Sequence, residues 1–257
     1  MENKKHLISG GAGFIGSNLA SHFLKKGESV TIFDNFSRRG TLLNLRWLQA
    51  NYPNIRVIRG DIRFDQKKLE NEVKKANIIH HLAAQVAVTT SVVNPREDFE
   101  INALGTFNVL EAVRKSKNKP ILIYSSTNKV YGQMDDVEVI KGKENYQYKN
   151  FSKGISEERP IDFHSPYGCS KGAGDQYVRD YARIYGLKTI VFRQSCIYGP
   201  RQFGIEDQGW VAWFTIASVL NKPITVFGDG KQIRDILHVD DLINAFELAI
   251  LNIEKTK

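Results

Sequence analysis

A tyrosine and a lysine stand four residues apart at the predicted start of a helix, in the string Tyr167-Gly168-Cys169-Ser170-Lys171. Residues i and i+4 lie on one helix face, so the ammonium of Lys171 can approach the phenol of Tyr167. A free phenol has a pKa of about 10 and is a poor base at neutral pH, whereas a neighbouring cation favours the phenolate. The spacing indicates a tyrosine base, although a buried tyrosine beside a surface lysine gives the same pattern.

Three hydroxyl side chains, Ser125, Ser126 and Thr127, end a predicted strand at the edge of the sheet where Tyr167 is expected. One of them could hydrogen-bond the reacting oxygen and share the proton with the phenol. Hydroxyls at strand ends also cap turns, so the residues alone leave this choice open.

The first predicted strand is followed by the glycine-rich string SGGAGFIG, residues 9–16. Its spacing is close to the dinucleotide fingerprint, in which glycines allow a tight turn and let the backbone approach a pyrophosphate. The following helix N-terminus supplies amide donors and a positive dipole. We expect cofactor contacts at Gly10, Gly13, Phe14, Ile15 and Gly16.

Asp34 closes the second predicted strand, 18 residues after Gly16. A carboxylate at this position accepts hydrogen bonds from ribose hydroxyls and repels a 2′-phosphate, which favours NAD over NADP. Arg38 and Arg39 argue the other way, because arginine can neutralise that phosphate. We give the carboxylate more weight and expect NAD.

Two later strand ends extend the predicted cofactor site. Asp61 ends the third strand and could meet the adenine amino group, although strand-end turns also use aspartate. The small side chains after the fourth strand leave room for a cofactor at the carboxyl edge of the sheet. Further contacts are therefore expected at Asp61, Ile62, Leu82, Ala83, Ala84 and Gln85.

Short apolar runs alternate with amphipathic stretches over the first two-thirds of the chain, which predicts an α/β fold with a doubly wound parallel (Rossmann) sheet. Predicted strands are His6–Ser9, Ser29–Phe33, Ile55–Gly60, Asn77–His81, Ile121–Ser125 and Lys188–Arg193. Predicted helices are Phe14–Lys26, Thr41–Ala50, Gln66–Lys75, Arg96–Lys115 and Pro166–Tyr185.

Two segments break this rhythm. Residues 132–163 are polar and predict a long loop that borders a substrate cleft. From residue 194 the sequence changes to scattered short elements. We therefore expect a cofactor-binding Rossmann domain over residues 1–193 and a smaller, partial substrate lobe over residues 194–257.

Composition narrows the class of protein. The 257 residues carry a net charge of +8, of which residues 1–80 hold +7, but no aromatic-basic interleaving supports nucleic-acid binding. Two cysteines exclude a disulfide framework and fit a reducing compartment. The sequence lacks a membrane-length apolar run and any Cys/His cluster near His80 and His81. We expect a cytoplasmic protein without a metal site.

The motifs together resemble the extended short-chain dehydrogenase/reductase family of nucleotide-sugar epimerases and dehydratases, from the N-terminus to about Asp241. This resemblance implies that Tyr167 is the base and that Thr127 is its hydroxyl partner. It also implies that Lys171 positions Tyr167 and holds the nicotinamide ribose.

Longer strings are similar to a subgroup that epimerises CDP-hexoses at C2, at residues 85–91, 125–132, 162–172, 201–204 and 207–210. The likeness adds Asn35 to the cofactor contacts and implies that NAD stays bound throughout the cycle. It assigns Arg234, with Arg201 as a second candidate, to the substrate diphosphate. Gln194, Cys196 and residues 133–161 depart from the subgroup.

Residues after Thr127 bear on the reaction. Dehydratases of the family place acidic residues there, whereas this chain has Asn128 and Lys129. We therefore expect an NAD-dependent nucleotide-sugar epimerase, with a CDP-hexose favoured as substrate. The alternatives are an epimerase or reductase acting on a UDP-, GDP- or dTDP-hexose at C4, and a non-catalytic NAD-binding regulator.

The length of the chain bears on the predicted substrate lobe. Relatives continue well past the region that contains Asp241, so we expect the substrate lobe to be truncated, reduced or completed by a neighbouring subunit. The predicted helices Arg96–Lys115 and Pro166–Tyr185 are where relatives dimerise, and we expect a homo-oligomer.

Overall fold

The computed structural model describes residues 3–206 and 208–255, and its centre is a six-stranded parallel sheet. Asp207, part of one family string, lies outside the described residues. The described strands are β1 Lys5–Ser9, β2 Ser29–Asp34, β3 Arg56–Arg59, β4 Ile78–His81, β5 Ile121–Thr127, β6 Val139–Lys141, β7 Tyr146–Tyr148, β8 Thr189–Gln194, β9 Cys196–Tyr198 and β10 Ile236–His238. The order β3-β2-β1-β4-β5-β8 confirms the predicted doubly wound sheet.

Helices cover both faces of the sheet. The described α-helices are α1 Phe14–Lys25, α2 Thr41–Asn51, α3 Gln66–Val73, α4 Val88–Val93, α5 Pro95–Phe99, α6 Gly105–Lys115, α7 Ser165–Tyr185, α8 Trp210–Val219 and α9 Val239–Leu251. The helix predicted over Arg96–Lys115 is instead α5, a π-helical turn at Glu100–Leu104 and α6 in succession. Across residues 3–206 and 208–255, no helix combines the length and apolar character that membrane spanning requires.

Apolar side chains from the sheet are buried on both of its faces. On one face they pack with α3, α6 and α7, and on the other with α1, α2 and α9. Every residue of β4 is buried, which explains why its sequence shows no polar alternation. Because the carboxyl ends of β1, β2, β4 and β5 meet at one edge, the residues that follow them lie close together.

The two segments in which the sequence showed no regular strand–helix alternation contain further strands and helices. Residues 132–163 include an antiparallel hairpin of β6 and β7, whose largely exposed side chains gave no hydrophobic period. Near the C-terminus, α9 buries Leu242 and Phe246 in the same cluster as Ile8 of β1. The predicted boundary at residue 193 stays a prediction, and this packing places residues 239–251 with the Rossmann sheet.

A buried ion pair joins the two strands and the helix nearest the predicted catalytic residues. Asp175 of α7 is fully buried and accepts hydrogen bonds from Arg193 Nε at 3.0 Å and Nη2 at 3.1 Å. The same carboxylate accepts a bond from Ser126 Oγ at 2.8 Å. Asp175 therefore links α7 to β5 and β8.

We expect Arg193→Met to lower the free energy of unfolding by about 3–5 kcal/mol, because it leaves the Asp175 carboxylate buried without its cation. The matched control is Lys188→Met, which breaks the exposed Lys188–Glu254 pair and should change stability by less than about 1 kcal/mol. Urea titration measures both values. Equal losses in the two variants would contradict a special role for the buried pair.

Candidate active site

The glycine-rich turn between β1 and α1 is packed too closely for side chains at two of its glycines. A Cβ on Gly10, whose φ is +71°, would lie 2.7 Å from the backbone nitrogen of Ala83. A Cβ on Gly16 would lie 2.3 Å from the carbonyl oxygen of Gly10. Glycine at these positions therefore allows the turn to approach the end of β4, where residues 82–85 begin, and to close on itself.

Gly13 differs from these two glycines. A Cβ added there would meet only the carbonyl oxygen of Gly10, at 3.1 Å, and would otherwise enter open space. Gly13 is also the N-cap of α1, and in the described structure no side chain caps this helix. The first-turn amides of Phe14 and Ile15 are thus directed at an open cradle that suits a phosphate group.

Asp34 is buried at the end of β2 beside this cradle. Its Oδ2 accepts a hydrogen bond from the amide of Ala12 at 3.0 Å, and its Oδ1 accepts one from Phe36 at 2.8 Å. Burial raises the pKa of this carboxyl group, and the two backbone bonds oppose that shift. Each carboxylate oxygen keeps a free lone pair, so the pair can accept the two hydroxyls of a ribose.

Asp61 lies next to Asp34 but is more fully occupied. Its carboxylate accepts bonds from the Arg63 amide at 2.9 Å and from the Arg63 side chain at 3.0 and 2.9 Å. Asn35 Nδ2 donates another at 2.8 Å. Burial raises the pKa of Asp61, but these bonds outweigh it and hold the pKa below its usual value. The predicted contact with adenine would therefore involve a carboxylate that already has hydrogen-bond partners. Nothing in the sequence indicated that Arg63 pairs with Asp61.

The segment after β4 completes this side of the site. The amide of Leu82 donates to Ser9 at 3.0 Å, which holds the segment to β1. The side chain of Gln85 folds back on the backbone of Ala87, and the main chain of Gln85 is bonded to the side chain of Asn102. Of the predicted cofactor residues, those brought to this edge are Gly10, Gly13, Phe14, Ile15, Gly16, Asp34, Asn35, Asp61, Leu82, Ala83, Ala84 and Gln85. Ile62 instead buries its side chain in the core against Gly105.

The hydroxyl of Thr127 lies close enough to the phenol of Tyr167 to lower the pKa of that phenol. Both side chains are buried, and Thr127 also accepts a bond from the amide of Lys129 at 3.2 Å. The other two hydroxyls are engaged elsewhere, because Ser126 bonds Asp175 and Ser125 bonds Gln194. The fold therefore presents Thr127, of the three candidates, to the tyrosine.

Lys171 lies beneath this pair. Its Nζ donates to the carbonyl oxygen of Ser125 at 2.5 Å and lies 4.3 Å from the centre of the Tyr124 ring. Burial lowers the pKa of Lys171 from 10.5 to about 7, although the charges of Asp175 and Asp98 oppose the shift. The ammonium is held in place at a considerable electrostatic cost.

Burial raises the pKa of the Tyr167 phenol, whereas the nearby Thr127 hydroxyl lowers it. Asp98 raises the pKa further, and the cation that lowers it is Arg38. In the protein without a bound cofactor, the positive charge that lowers the pKa of Tyr167 is therefore that of Arg38. The predicted activation of the phenol by Lys171 stays a prediction. Arg38 entered the sequence argument only as a possible partner of a 2′-phosphate.

A buried polar network supports the first turn of α7. Asp98 accepts bonds from Ser170 Oγ and, at 3.1 Å, from Asn102 Nδ2. Asn102 lies in the π-helical turn, and its Oδ1 accepts the amide of Gln85 at 2.9 Å. This network joins the segment after β4 to the helix that carries Tyr167, and the sequence gave no signal for it.

Gln194 ends β8 opposite Thr127 and offers an unused donor. Its Oε1 accepts the Ser125 hydroxyl at 2.9 Å, and its Nε2 is buried with no partner among the described residues. A buried amide nitrogen without an acceptor is unfavourable, so it is suited to a ligand atom at this edge.

The two predicted substrate arginines lie in different environments. Arg234 is exposed, and its Nη1 bonds the carbonyl oxygen of Ile233 at 2.9 Å. Arg201 stacks 4.0 Å from the centre of the Trp47 ring and bonds Oδ1 of Asn18. The structure does not bring these two guanidinium groups together with each other.

These groups define a class of protein: a Rossmann-type enzyme with an NAD site and a tyrosine–lysine pair at the carboxyl edge of its sheet. The open cradle at Gly13, the uncapped end of α1 and the free lone pairs of Asp34 all fit NAD. Over residues 3–206 and 208–255, no group of three or more His, Cys, Asp or Glu side chains is placed to hold a metal ion.

Comparison with known proteins identifies the family. Residues 6–257 match the NAD dependent epimerase/dehydratase family, and the chain belongs to it, with NAD as cofactor. The chain is 48% identical to CDP-paratose 2-epimerase of Salmonella typhi over 260 residues, which cover 98% of this chain and 76% of that protein. The predicted family membership is confirmed.

Solved structures agree with this result. UDP-glucose 4-epimerase of Thermotoga maritima, solved with UDP-glucose, has a TM-score of 0.79 and 33% identity, covering 96% of this chain and 73% of that one. UDP-glucose 4-epimerase of Thermus thermophilus, solved with NAD, has a TM-score of 0.75 and 32% identity, covering 95% and 74%.

We expect Gly13→Ala to weaken NAD binding at least about tenfold while leaving the free energy of unfolding within about 1 kcal/mol. The added methyl group enters the open cradle rather than the protein, and the φ of −70° at Gly13 suits alanine. Isothermal titration with NAD and urea unfolding measure the two effects. The contrasting variant is Gly16→Ala, whose methyl group strikes Gly10 and should destabilise the fold. Unchanged NAD affinity in Gly13→Ala would contradict the cradle.

We expect burial of Lys171 to make stability depend on pH. Its pKa is lowered in the folded protein, so the unfolded chain binds the extra proton between pH 7 and 10.5. The cost of burial is complete below pH 7 and is relieved as the pH rises, by up to about 1.4 kcal/mol per pH unit.

The measurement is urea unfolding of NAD-free protein and of Lys171→Met between pH 7.5 and 9. The stability advantage of Lys171→Met should shrink as the pH rises. A parallel pH dependence in the two proteins would show that Lys171 is not the group responsible.

Proposed function

We propose that this protein is an NAD-dependent epimerase of a nucleotide sugar and that it interconverts CDP-paratose and CDP-tyvelose by inversion at C2. The observation that carries the proposal is the burial of Tyr167, Thr127 and Lys171 together at the edge of the sheet that holds the glycine-rich cradle, with Lys171 bonded to Ser125 two residues before Thr127. The 48% identity to CDP-paratose 2-epimerase supports this choice of sugar and base.

In this proposal Tyr167 takes the proton of the sugar hydroxyl and later returns it to the ketone oxygen. Thr127 holds that oxygen through its hydroxyl group, and Lys171 binds the nicotinamide ribose. Bound NAD supplies a reversible hydride acceptor. The transient ketone is planar at the reacting carbon, so it can be reduced on either face, as inversion requires.

The residues after Thr127 support epimerisation over loss of water. Asn128 and Lys129 are exposed in the 3₁₀ turn that Thr127 caps, and Asn128 Nδ2 bonds Ser195 Oγ at 3.4 Å. Removal of a proton beside a ketone needs a base, and neither an amide nor an ammonium group can act as one.

The cofactor assignments belong to the same proposal. The cradle that Gly10, Gly13 and Gly16 shape would hold the pyrophosphate, and Asp34 would hold the adenosine ribose. Asn35, Asp61 and Ile62 would lie on the adenine side, with Ile62 contributing its backbone. Residues 82–85 would lie along the nicotinamide half.

The substrate assignments are less developed. Arg234 lies exposed beyond the turn at residues 228–230 and is available for a diphosphate. Arg201 is engaged with Asn18 and Trp47, so its assignment to the substrate rests on the resemblance alone.

The second candidate is a C4 epimerase of a UDP-hexose, which the two UDP-glucose 4-epimerase structures favour. A third, a non-catalytic NAD-binding regulator, is disfavoured because Tyr167 and Lys171 are both in place.

We also propose a homo-oligomer formed through α6 and α7. Phe107 and Tyr177 leave 36% and 48% of their surfaces exposed, with ring centres 5.9 Å apart, and Ile184 is 65% exposed. An apolar patch of this kind on neighbouring helices is typical of a subunit interface.

We expect wild-type protein to invert C2 of CDP-paratose and to leave C4 of UDP-galactose unchanged. Protein that is purified with NAD bound should do so without added cofactor. NMR of each sugar nucleotide after incubation gives the answer. Inversion at C4 of UDP-galactose alone would reject the CDP assignment. No turnover of either compound despite tight NAD binding would favour the regulator.

We expect Tyr167→Phe to keep NAD affinity within about threefold while turnover falls at least about a hundredfold, because phenylalanine cannot move a proton. The control is Tyr177→Phe on an exposed part of α7, which should keep normal turnover. Retained activity in Tyr167→Phe would remove the tyrosine-base mechanism.

A further inference from the structure

A segment from the C-terminal part of the chain lies across the outside of the cofactor site. We call residues 200–206 together with Gln208 the strap. The strap contacts α1, α2 and the loop between β2 and α2. The residues joined by these contacts lie 157 to 182 positions apart in the sequence. These contacts fasten it at two places.

The first fastening is to the glycine-rich turn. Asn18 of α1 donates from Nδ2 to the carbonyl oxygens of Phe14 at 2.8 Å and Pro200 at 2.9 Å. Asn44 of α2 donates from Nδ2 to Ala12 at 3.1 Å and to the strap at 3.3 Å. Both asparagines are buried, so each joins the glycine-rich segment to the strap in a place shielded from water.

Arg201 strengthens this fastening. Its guanidinium lies over the Trp47 ring of α2 and donates to Oδ1 of Asn18. A planar guanidinium makes both contacts at once, which an ammonium group cannot do as well. The arginine predicted to bind substrate therefore holds the strap to α1 and α2.

The second fastening is to the loop that follows Asp34. The Phe203 ring covers Gly40, where a Cβ would lie 2.1 Å from a ring carbon. Gln208 Oε1 accepts a hydrogen bond from Arg38 Nη2 at 2.7 Å. Arg38 lies close enough to Asp34 and Tyr167 for its charge to act on both.

We propose that the strap retains NAD by holding the glycine-rich turn and the Asp34 loop in their binding geometry, with Asn18, Asn44, Phe203 and Gln208 as positioning residues. The inference rests on the NAD site of the proposed function. It deepens that function, because an epimerase must keep its reduced cofactor until the hydride is returned to the sugar.

The strap acts on dissociation of NAD more than on chemistry. Among the described residues of the strap, no hydrogen bond reaches Thr127 or Lys171, whereas both fastenings lie on segments proposed to hold the dinucleotide. Interactions that restrain a binding loop slow ligand release, and most affinity changes within one site occur in the release rate.

The test compares NAD release from Phe203→Ala and Gln208→Ala with release from wild type. Each protein is loaded with radiolabelled NAD, separated from free nucleotide and diluted into excess unlabelled NAD. The matched controls are Phe227→Ala and Gln232→Ala, which make the same changes at residues outside the strap. Thermal unfolding of the NAD-free proteins shows whether each variant is folded.

We expect release to be at least about tenfold faster from the two strap variants and unchanged in the controls. At saturating added NAD, kcat should stay within about twofold of wild type, which separates retention from catalysis. Hydrogen–deuterium exchange at residues 200–206 should slow when NAD binds. Release from folded strap variants at the control rate overturns the proposal. The release assay itself contains no sugar nucleotide, so a wrong substrate assignment leaves the measured release rates unchanged.

Discussion

The buried carboxylate of Asp175 sets the distance between the strand and the helix that carry the catalytic groups. Asp175 lies on α7 one helical turn after Lys171. Its carboxylate accepts a hydrogen bond from Ser126, the residue before Thr127. Arg193 of β8 supplies the opposite charge. A buried carboxylate is unfavourable without such partners, so correct folding also sets the relative positions of Thr127, Lys171 and Tyr167.

Burial fixes the positions of Lys171 and Tyr167, but it also disfavours their charged forms. Burial lowers the pKa of Lys171 to about 7 and raises that of Tyr167, so each group is pushed towards its neutral form. Asp98 and Asp175 offset part of the cost for the lysine, whereas Asp98 adds to the cost of a phenolate. Titratable groups whose pKa values are strongly shifted by burial are concentrated at catalytic sites.

The sequence predicted what depends on local pattern. Glycine spacing, strand ends and the i, i+4 pair located the cradle, Asp34 and Tyr167–Lys171, because each is confined to a short segment. Arg63, Asn102 and Gln194 were missed, because their roles come from contacts made across the fold. The β6–β7 hairpin was missed because its exposed side chains carry no hydrophobic period. The packing of helix α9 against β1 was not predicted, because the sequence does not show which surface an apolar helix face covers.

Arg38 connects the strap with the chemistry. Lysine with a pKa near 7 is only partly charged at neutral pH, whereas a guanidinium remains charged throughout the physiological range. Arg38 therefore provides a constant positive charge that favours the Tyr167 phenolate, and Gln208 of the strap holds its guanidinium. The strap thus reaches the tyrosine only through the charge of one arginine, which agrees with a role in NAD release rather than in turnover.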